Sequence, residues 1–163
     1  MTLPSILVTD TNIWIDLENG KILADIFRLP YQFVTPDFAV AEFISPGWDV
    51  LQNLGLIIHP LENTRVKELV ALRRVHHQLS VVDLSAFLLA KALQASLVTG
   101  DRRLNELARS HGLSVHGVLW ILDEMVSHQI LTTIQAESAL RRMLTAGARL
   151  PQIECQKRLE RWG

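Results

Sequence analysis

An α/β fold with a mostly parallel central sheet is predicted by three features of the 163-residue sequence. Short apolar runs rich in β-branched residues alternate with longer stretches of helical periodicity. None of the short runs alternates cleanly with polar residues, which is the pattern of strands covered on both faces. The alternation stops near residue 117, and everything after it has helical spacing. About five short strands are expected, over residues 5–9, 31–34, 56–59, 96–98 and 114–116.

The connecting segments carry recognisable ends. Thr35-Pro36 places a cap residue before a proline whose missing N–H costs nothing, predicting a helix that Ser45-Pro46-Gly47 should stop. Asn63 or Thr64 opens a long helix to about Gln78, striped by Val66, Leu69, Val70 and Leu72. Ser80-Val81-Val82-Asp83 has capping-box spacing with Asp in the usual Glu position, leading a buried helix through Ala86, Phe87, Leu89, Ala90 and Leu93. Gly100-Asp101 opens another that reaches His111 and is ended by Gly112. Helices over 118–127, 133–146 and 152–162 follow, the second closed by Gly147. No linker or repeat interrupts the chain, so residues 1–163 read as one domain, a core of 1–131 with a helical extension over 132–163.

Composition narrows the class. With 48% hydrophobic and 20% charged residues and net charge −1, the chain has a sizeable core and is neither disordered nor collagen-like. Its single cysteine, Cys155, excludes an internal disulfide and leaves only histidines and carboxylates for a zinc site. Mean hydropathy is +0.20, but charges interrupt every apolar run before the roughly 18 residues needed to span a bilayer. Residues 1–10 lack a basic start followed by an apolar stretch. A cytoplasmic protein with no membrane partner is expected. The near-neutral total hides a polarity: residues 1–62 carry two basic against eight acidic side chains, and residues 141–163 carry six basic against two acidic. That distribution suits a cation site in one region and an anionic partner elsewhere, although solvated helix faces also produce it.

Four carboxylates stand out. Asp10 follows the apolar run Ile6-Leu7-Val8-Thr9, and Asp101 follows Leu97-Val98-Thr99-Gly100. Both therefore fall at carboxyl ends of strands, the edge at which open parallel sheets bind ligands. Asp83 sits in the first turn of a buried helix, and Glu42 lies between apolar neighbours after Pro36. Taken one at a time, each has a purely structural explanation: Asp10, Asp83 and Asp101 as helix caps, Glu42 as a solvated side chain. Taken together, four acids near one site repel one another unless a cation neutralises them, and Mg²⁺ or Mn²⁺ suits all-oxygen ligation.

Val8-Thr9-Asp10-Thr11-Asn12-Ile13, the isolated Glu42, Leu79-Ser80-Val81-Val82-Asp83-Leu84-Ser85-Ala86 and Leu97-Val98-Thr99-Gly100-Asp101 occur in the order and at the intervals of the PIN domain motifs. The chain resembles that family from about Ser5 to Leu131, including His116-Gly117-Val118-Leu119-Trp120. Within the family it is most similar to the VapC-like ribonuclease toxins of type II toxin–antitoxin modules. The resemblance implies a PIN-like three-layer sandwich and a Mg²⁺- or Mn²⁺-dependent endoribonuclease. Asp10, Asp83 and Asp101 would ligate the metal, with Glu42 a fourth ligand, direct or through water; one ion or two are both compatible with this set. The ion would polarise the phosphodiester and acidify a water for in-line attack, leaving a 5′-phosphate and a 3′-hydroxyl. Asn12 and Thr99 would orient the carboxylates, or else serve as loop caps. The implied partners are an RNA substrate, an antitoxin that inserts a basic side chain among the acids, and a second copy in a homodimer.

Arg102 and Arg103 follow Asp101 directly, so a guanidinium is expected near the substrate phosphate, with a surface ion pair as the alternative. His76 and His77 are adjacent on a helix, about 100° apart, and cannot chelate together. His116 is assigned no chemistry. Trp14, Trp48, Trp120 and Trp162 read as core or interface anchors in preference to base-stacking platforms, with Trp14, Ile15 and Leu17 alternatively forming a groove for a partner helix. Two other readings compete with the nuclease. A non-catalytic α/β interaction module keeps the acids only for structure; a receiver-like phospho-acceptor lacks the lysine such a site needs, since Lys91 lies in mid-helix.

Overall fold

The structure is a computed structural model that describes residues 5–41 and 47–163. Five strands, β1 (Ser5–Thr9), β2 (Tyr31–Pro36), β3 (Ile57–His59), β4 (Ser96–Val98) and β5 (Val115–His116), form one sheet in the order β3-β2-β1-β4-β5. Every pairing is parallel, with Leu7 opposite Phe33 on one side of β1 and Val8 opposite Leu97 on the other.

Because side chains alternate along a strand, the sheet has two apolar faces and needs two layers of helix. Leu7, Phe33 and Val98 face a cluster contributed by α1 (Thr11–Asn19), α6 (Val118–Ser127), α7 (Thr133–Thr145) and α8 (Gln152–Trp162). Val8, Val34 and Leu97 face the opposite cluster, built from α3 (Asn63–Val75), α4 (Val81–Leu93) and α5 (Arg102–Ser110). The last two helices thus belong to the same core as α1. None of the described helices is long and apolar enough to cross a membrane.

Several local expectations hold and some do not. The Ser80–Asp83 capping box forms reciprocally, each side chain accepting the other's backbone N–H at 3.0 Å. Asp101 caps α5, its Oδ1 accepting the Leu104 N–H at 2.8 Å, and Gly112 and Gly147 adopt the positive φ of helix-ending glycines. The helix expected from Thr35-Pro36 does not start there. Both residues extend β2, Pro36 standing opposite His59, and a 3₁₀ turn over Asp37–Ala41 follows. Proline is tolerated because a parallel strand bonds each neighbour through alternate residues, so its missing donor need not break the ladder. Ser45 and Pro46, the expected stop, lie outside the described residues. The long helix ends at Val75, placing His76 at its C-cap and His77 beyond it. Helices α1 and α2 (Trp48–Leu54) and a 3₁₀ turn over Asp25–Arg28 were not expected.

Trp14 and Leu17 are fully buried, Trp14 stacking on Phe27 at 5.6 Å and meeting Phe33 edge-on, so the partner-helix groove is ruled out for both. Trp162 is also buried, and Trp48 and Trp120 pack against the same cluster. Helix α8 is fastened by Arg158, whose Nη2 and Nε donate to the two oxygens of Asp123 on α6 at 2.6 and 3.0 Å, while Nη1 reaches Glu154. This fork-to-fork pair is only 15% exposed on the arginine side, where such geometry is worth more than a surface contact. Replacing Arg158 by Met, which keeps the stem and removes the fork, should cost about 1–3 kcal/mol. Thermal melting should show a drop of several degrees, and an unchanged midpoint would mean that apolar packing alone holds α8.

Candidate functional site

The strand order puts a change of direction at the centre of the sheet. From β1 the chain runs outward through β2 and β3, then returns to place β4 on the other side of β1. The connections leaving β1 and β4 therefore diverge, opening a crevice at their carboxyl ends. Asp10 and Thr99 are the first residues beyond those ends. The ladder continues through them: the Asp10 N–H donates to Val98 O and the Thr99 N–H to His116 O, each at 2.9 Å.

Three of the four expected acids meet here. Asp10 is 4% exposed. Its carboxyl is raised to about 6, first by burial and then by Asp83, with a smaller push from Asp101; the Thr99 hydroxyl and the Thr11 N–H act in the opposite direction. Thr99 Oγ1 donates to Asp10 Oδ2 at 2.9 Å and accepts the Asp101 N–H at 3.0 Å. A hydroxyl has one proton, so accepting from Asp101 leaves that proton for Asp10 and fixes the rotamer. Asp83 and Asp101 each spend one oxygen on a helix N-terminus, Oδ2 to Ser80 N–H and Oδ1 to Leu104 N–H. Glu42 lies outside the described residues.

Other expected residues divide around this centre. Asn12 is exposed at the start of α1 and lines a cavity of about 430 Å³ together with Asp16, Asp101, Arg102 and Arg149. Arg102 is at the rim, its exposed side chain reaching Glu106 at 3.0 Å. Arg103 lines one depression with Asp101, Arg102 and Glu106 and another with His76, His77 and Glu106. On the other side of Asp101 is a cavity of about 460 Å³, walled by His116, Trp120, Asn105 and Leu150. His116 stacks on Trp120 with ring centroids 3.9 Å apart, and burial together with Arg109 holds its imidazole below the usual value, hence neutral near pH 7. Asp16, half-buried and pushed up by burial, and Arg149 line both cavities; sequence reasoning missed both. Asp16 had a faint signal, an acid within the apolar run Ile13-Trp14-Ile15-Asp16-Leu17, whereas Arg149 had none.

The donor chemistry fits a hard divalent cation. Asp10 is a nearly water-free carboxylate crowded by two like charges, and the next hydroxyl, Thr11 Oγ1, is buried without a hydrogen-bond partner. Among the described residues no three of His, Cys, Asp and Glu close around a point as they stand. Such an arrangement suits an ion that keeps several of its waters, as Mg²⁺ and Mn²⁺ do.

Asp10 carries a stability consequence in the absence of metal. Its folded-state pKa, about 6, lies above the unfolded value near 3.8. Between pH 4 and pH 6 the unfolded chain releases this proton first, so folding loses stability as pH rises through that window, by up to about 3 kcal/mol. In chelator, Asp10→Asn should therefore melt about 6–12 °C above the parent at pH 7.5 and close to it at pH 4. A variant no more stable at pH 7.5 would show that Asp10 is not crowded by its neighbours.

Comparison with known proteins follows this geometry. No curated protein matches the chain. Among solved structures, a PilT N-terminus domain protein from the hyperthermophilic archaeon Sulfolobus solfataricus P2 is similar, at 17% identity and a TM-score of 0.46, over 72% of this chain and 91% of that one. The family DUF3368, described as a PIN domain, matches residues 6–163 and so includes α7 and α8. The chain belongs to the PIN domain family, whose members are generally nucleases that use divalent metal ions.

Proposed function

We propose that this protein is a Mg²⁺- or Mn²⁺-dependent endoribonuclease. The observation that carries the reading is the convergence of Asp83 and Asp101 on Asp10 at the sheet's crevice, where burial first and these like charges after it hold the Asp10 carboxyl at about 6. Asp10, Asp83 and Asp101 would hold the ion, each with an oxygen left over from its contacts within the fold. The ion would supply Lewis acidity at the scissile phosphodiester.

The chain's own residues do the positioning. Thr99 fixes the Asp10 carboxylate and ties it to the Asp101 backbone, so the ends of β1 and β4 cannot drift apart independently. The first turns of α4 and α5 orient Asp83 and Asp101 while gaining the capping energy of their N-termini, about 1 kcal/mol each. Arg102, at the rim, offers a phosphate a bidentate partner in place of its weak exposed pair with Glu106.

The finer part of the reading is a toxin of a type II toxin–antitoxin module. It is supported by the motif resemblance and by the cleft's chemistry: crowded carboxylates attract an inserted arginine or lysine for the same reason that they attract a metal. A partner that silences the enzyme this way should bind more weakly to Asp10→Asn.

The decisive experiment incubates a mixed RNA pool with Mg²⁺ or Mn²⁺ and compares the parent with Asp10→Asn, Asp101→Asn and Thr99→Val. The two aspartate variants should lose roughly 100-fold or more in rate, and Thr99→Val about 10- to 100-fold, the scale for groups that orient a ligand. Chelation should abolish cleavage. Equal activity in all four proteins would point to a contaminating nuclease and end this proposal.

A further inference from the structure

The cavity of about 460 Å³ beside Asp101 falls within the size range of small-molecule sites, about 300–1,000 Å³. It opens between the β5–α6 junction and the loop joining α7 to α8. Its walls combine flat and polar elements. Ile13, Val118 and Leu150 are apolar, and the stacked His116–Trp120 pair adds an aromatic surface. Tyr31 leans on Trp120 from the sheet side at 5.7 Å, so His116 ends the row and its uncovered surface borders the cavity. The His116 ring nitrogens make no hydrogen bond among the described residues. The Asn105 amide, whose Oδ1 already accepts from Arg109 Nε, keeps its N–H donors.

Arg102, Arg109, Arg149 and Arg158 line the cavity, and of these only Arg149 makes no hydrogen bond or ion pair among the described residues. Six basic side chains lie between 141 and 163, and five are engaged within the protein: Arg141 with Glu137, Arg142 with Gly20 O, Lys157 with Glu154, Arg158 and Arg161 with Asp123. Arg149 makes no hydrogen bond or ion pair among the described residues, and it lines both this cavity and the neighbouring one. The two cavities share Asp16, Asp101, Arg102 and Arg149, which makes them one trough passing Asp101 and Asp16.

We propose that this cavity is a nucleobase pocket: the base of one RNA nucleotide lies against His116, and its phosphate is held by Arg149 beside Asp101. The inference rests on the nuclease reading and extends it, assigning α7 and α8 a part in choosing the nucleotide next to the cut. Flat apolar walls with polar edges fit a heterocyclic base, which stacks by its face and hydrogen-bonds by its rim. Stacking on an aromatic side chain is worth about 1–3 kcal/mol per base.

The test uses the full chain in chelator, where cleavage is silent. The common ribonucleoside 5′-monophosphates, ribose 5-phosphate and a short RNA are titrated calorimetrically. Comparing nucleotide with ribose 5-phosphate cancels the repulsion that metal-free carboxylates exert on either phosphate. At least one nucleotide should bind roughly tenfold tighter than ribose 5-phosphate, with the short RNA tighter still. The base advantage should vanish in His116→Ala and persist in His116→Phe. It should also vanish in Leu150→Glu, which alters a half-exposed wall position outside any helix or strand, so a poorly folded His116→Ala does not leave the matter open. Arg149→Gln should weaken nucleotide and ribose 5-phosphate alike. Nucleotides binding no better than ribose 5-phosphate, a base advantage that survives Leu150→Glu, or mononucleotides binding where RNA does not, would each overturn the pocket. Base-selective binding without RNA cleavage in Mn²⁺ keeps the pocket and removes the nuclease; cleavage without base selectivity does the reverse.

Discussion

Burying the Asp10 carboxylate is the most demanding constraint in this fold. A charge that is 4% exposed, with two further carboxylates acting on it, costs several kcal/mol unless something compensates. The protein supplies partial compensation only. The Thr99 hydroxyl and the Thr11 N–H stabilise the ionised form, yet burial and Asp83 outweigh them. A protein selected for stability alone would remove the acid or pair it with an arginine. Retaining it without a cationic partner leaves a site whose crowding a cation from solution would relieve, and the topology supplies the place: the crevice where β1 and β4 part company.

Capping and chemistry stand as alternatives for Asp83 and Asp101 in the sequence, yet the observed caps leave room for both. A carboxylate has two oxygens. In each case one is committed to a helix N-terminus, and that commitment fixes the direction of the other. These two acids crowd the more deeply buried Asp10, whose carboxyl is raised first by burial and then by Asp83. Positioning is thereby coupled to the stability of α4 and α5: a side chain that wanders from the site also uncaps its helix.

What could be read in the sequence was whatever depends on near neighbours in the chain. The strand runs, the Ser80–Asp83 box, the Asp101 cap and the glycines after α5 and α7 are local patterns with local causes. Thr35-Pro36 misled because its cap-like signature is equally that of a strand end. Pairing with β3, set by residues more than twenty positions away, decided the outcome. Helix α1 was obscured by Asp10 itself, which serves as its N-cap residue without making a side-chain cap bond. Asp16, Arg149 and the His116–Trp120 stack come together only after α7 and α8 dock on α1 and α6, and no pattern around any one of them anticipates that.

The charge polarity of the sequence acquires a different meaning in the folded chain. An excess of basic residues after position 140 suggests a broad anion-binding surface, but Arg142, Arg158 and Arg161 join α7 and α8 to the body of the protein, and Arg141 and Lys157 pair within their own helices. One guanidinium, Arg149, is left over, and it stands between the positive-φ turn at Gly147 and Pro151, where the chain is held without a helix to bury it. An anionic strand approaching an acidic crevice is repelled until a cation intervenes. Arg149, together with Arg102 and its weak exposed pair to Glu106, lowers that barrier at the rim rather than everywhere, which favours a defined path over general adhesion. The acidic first third and the basic last third thus meet at a single trough, where the placement of individual side chains matters more than net charge.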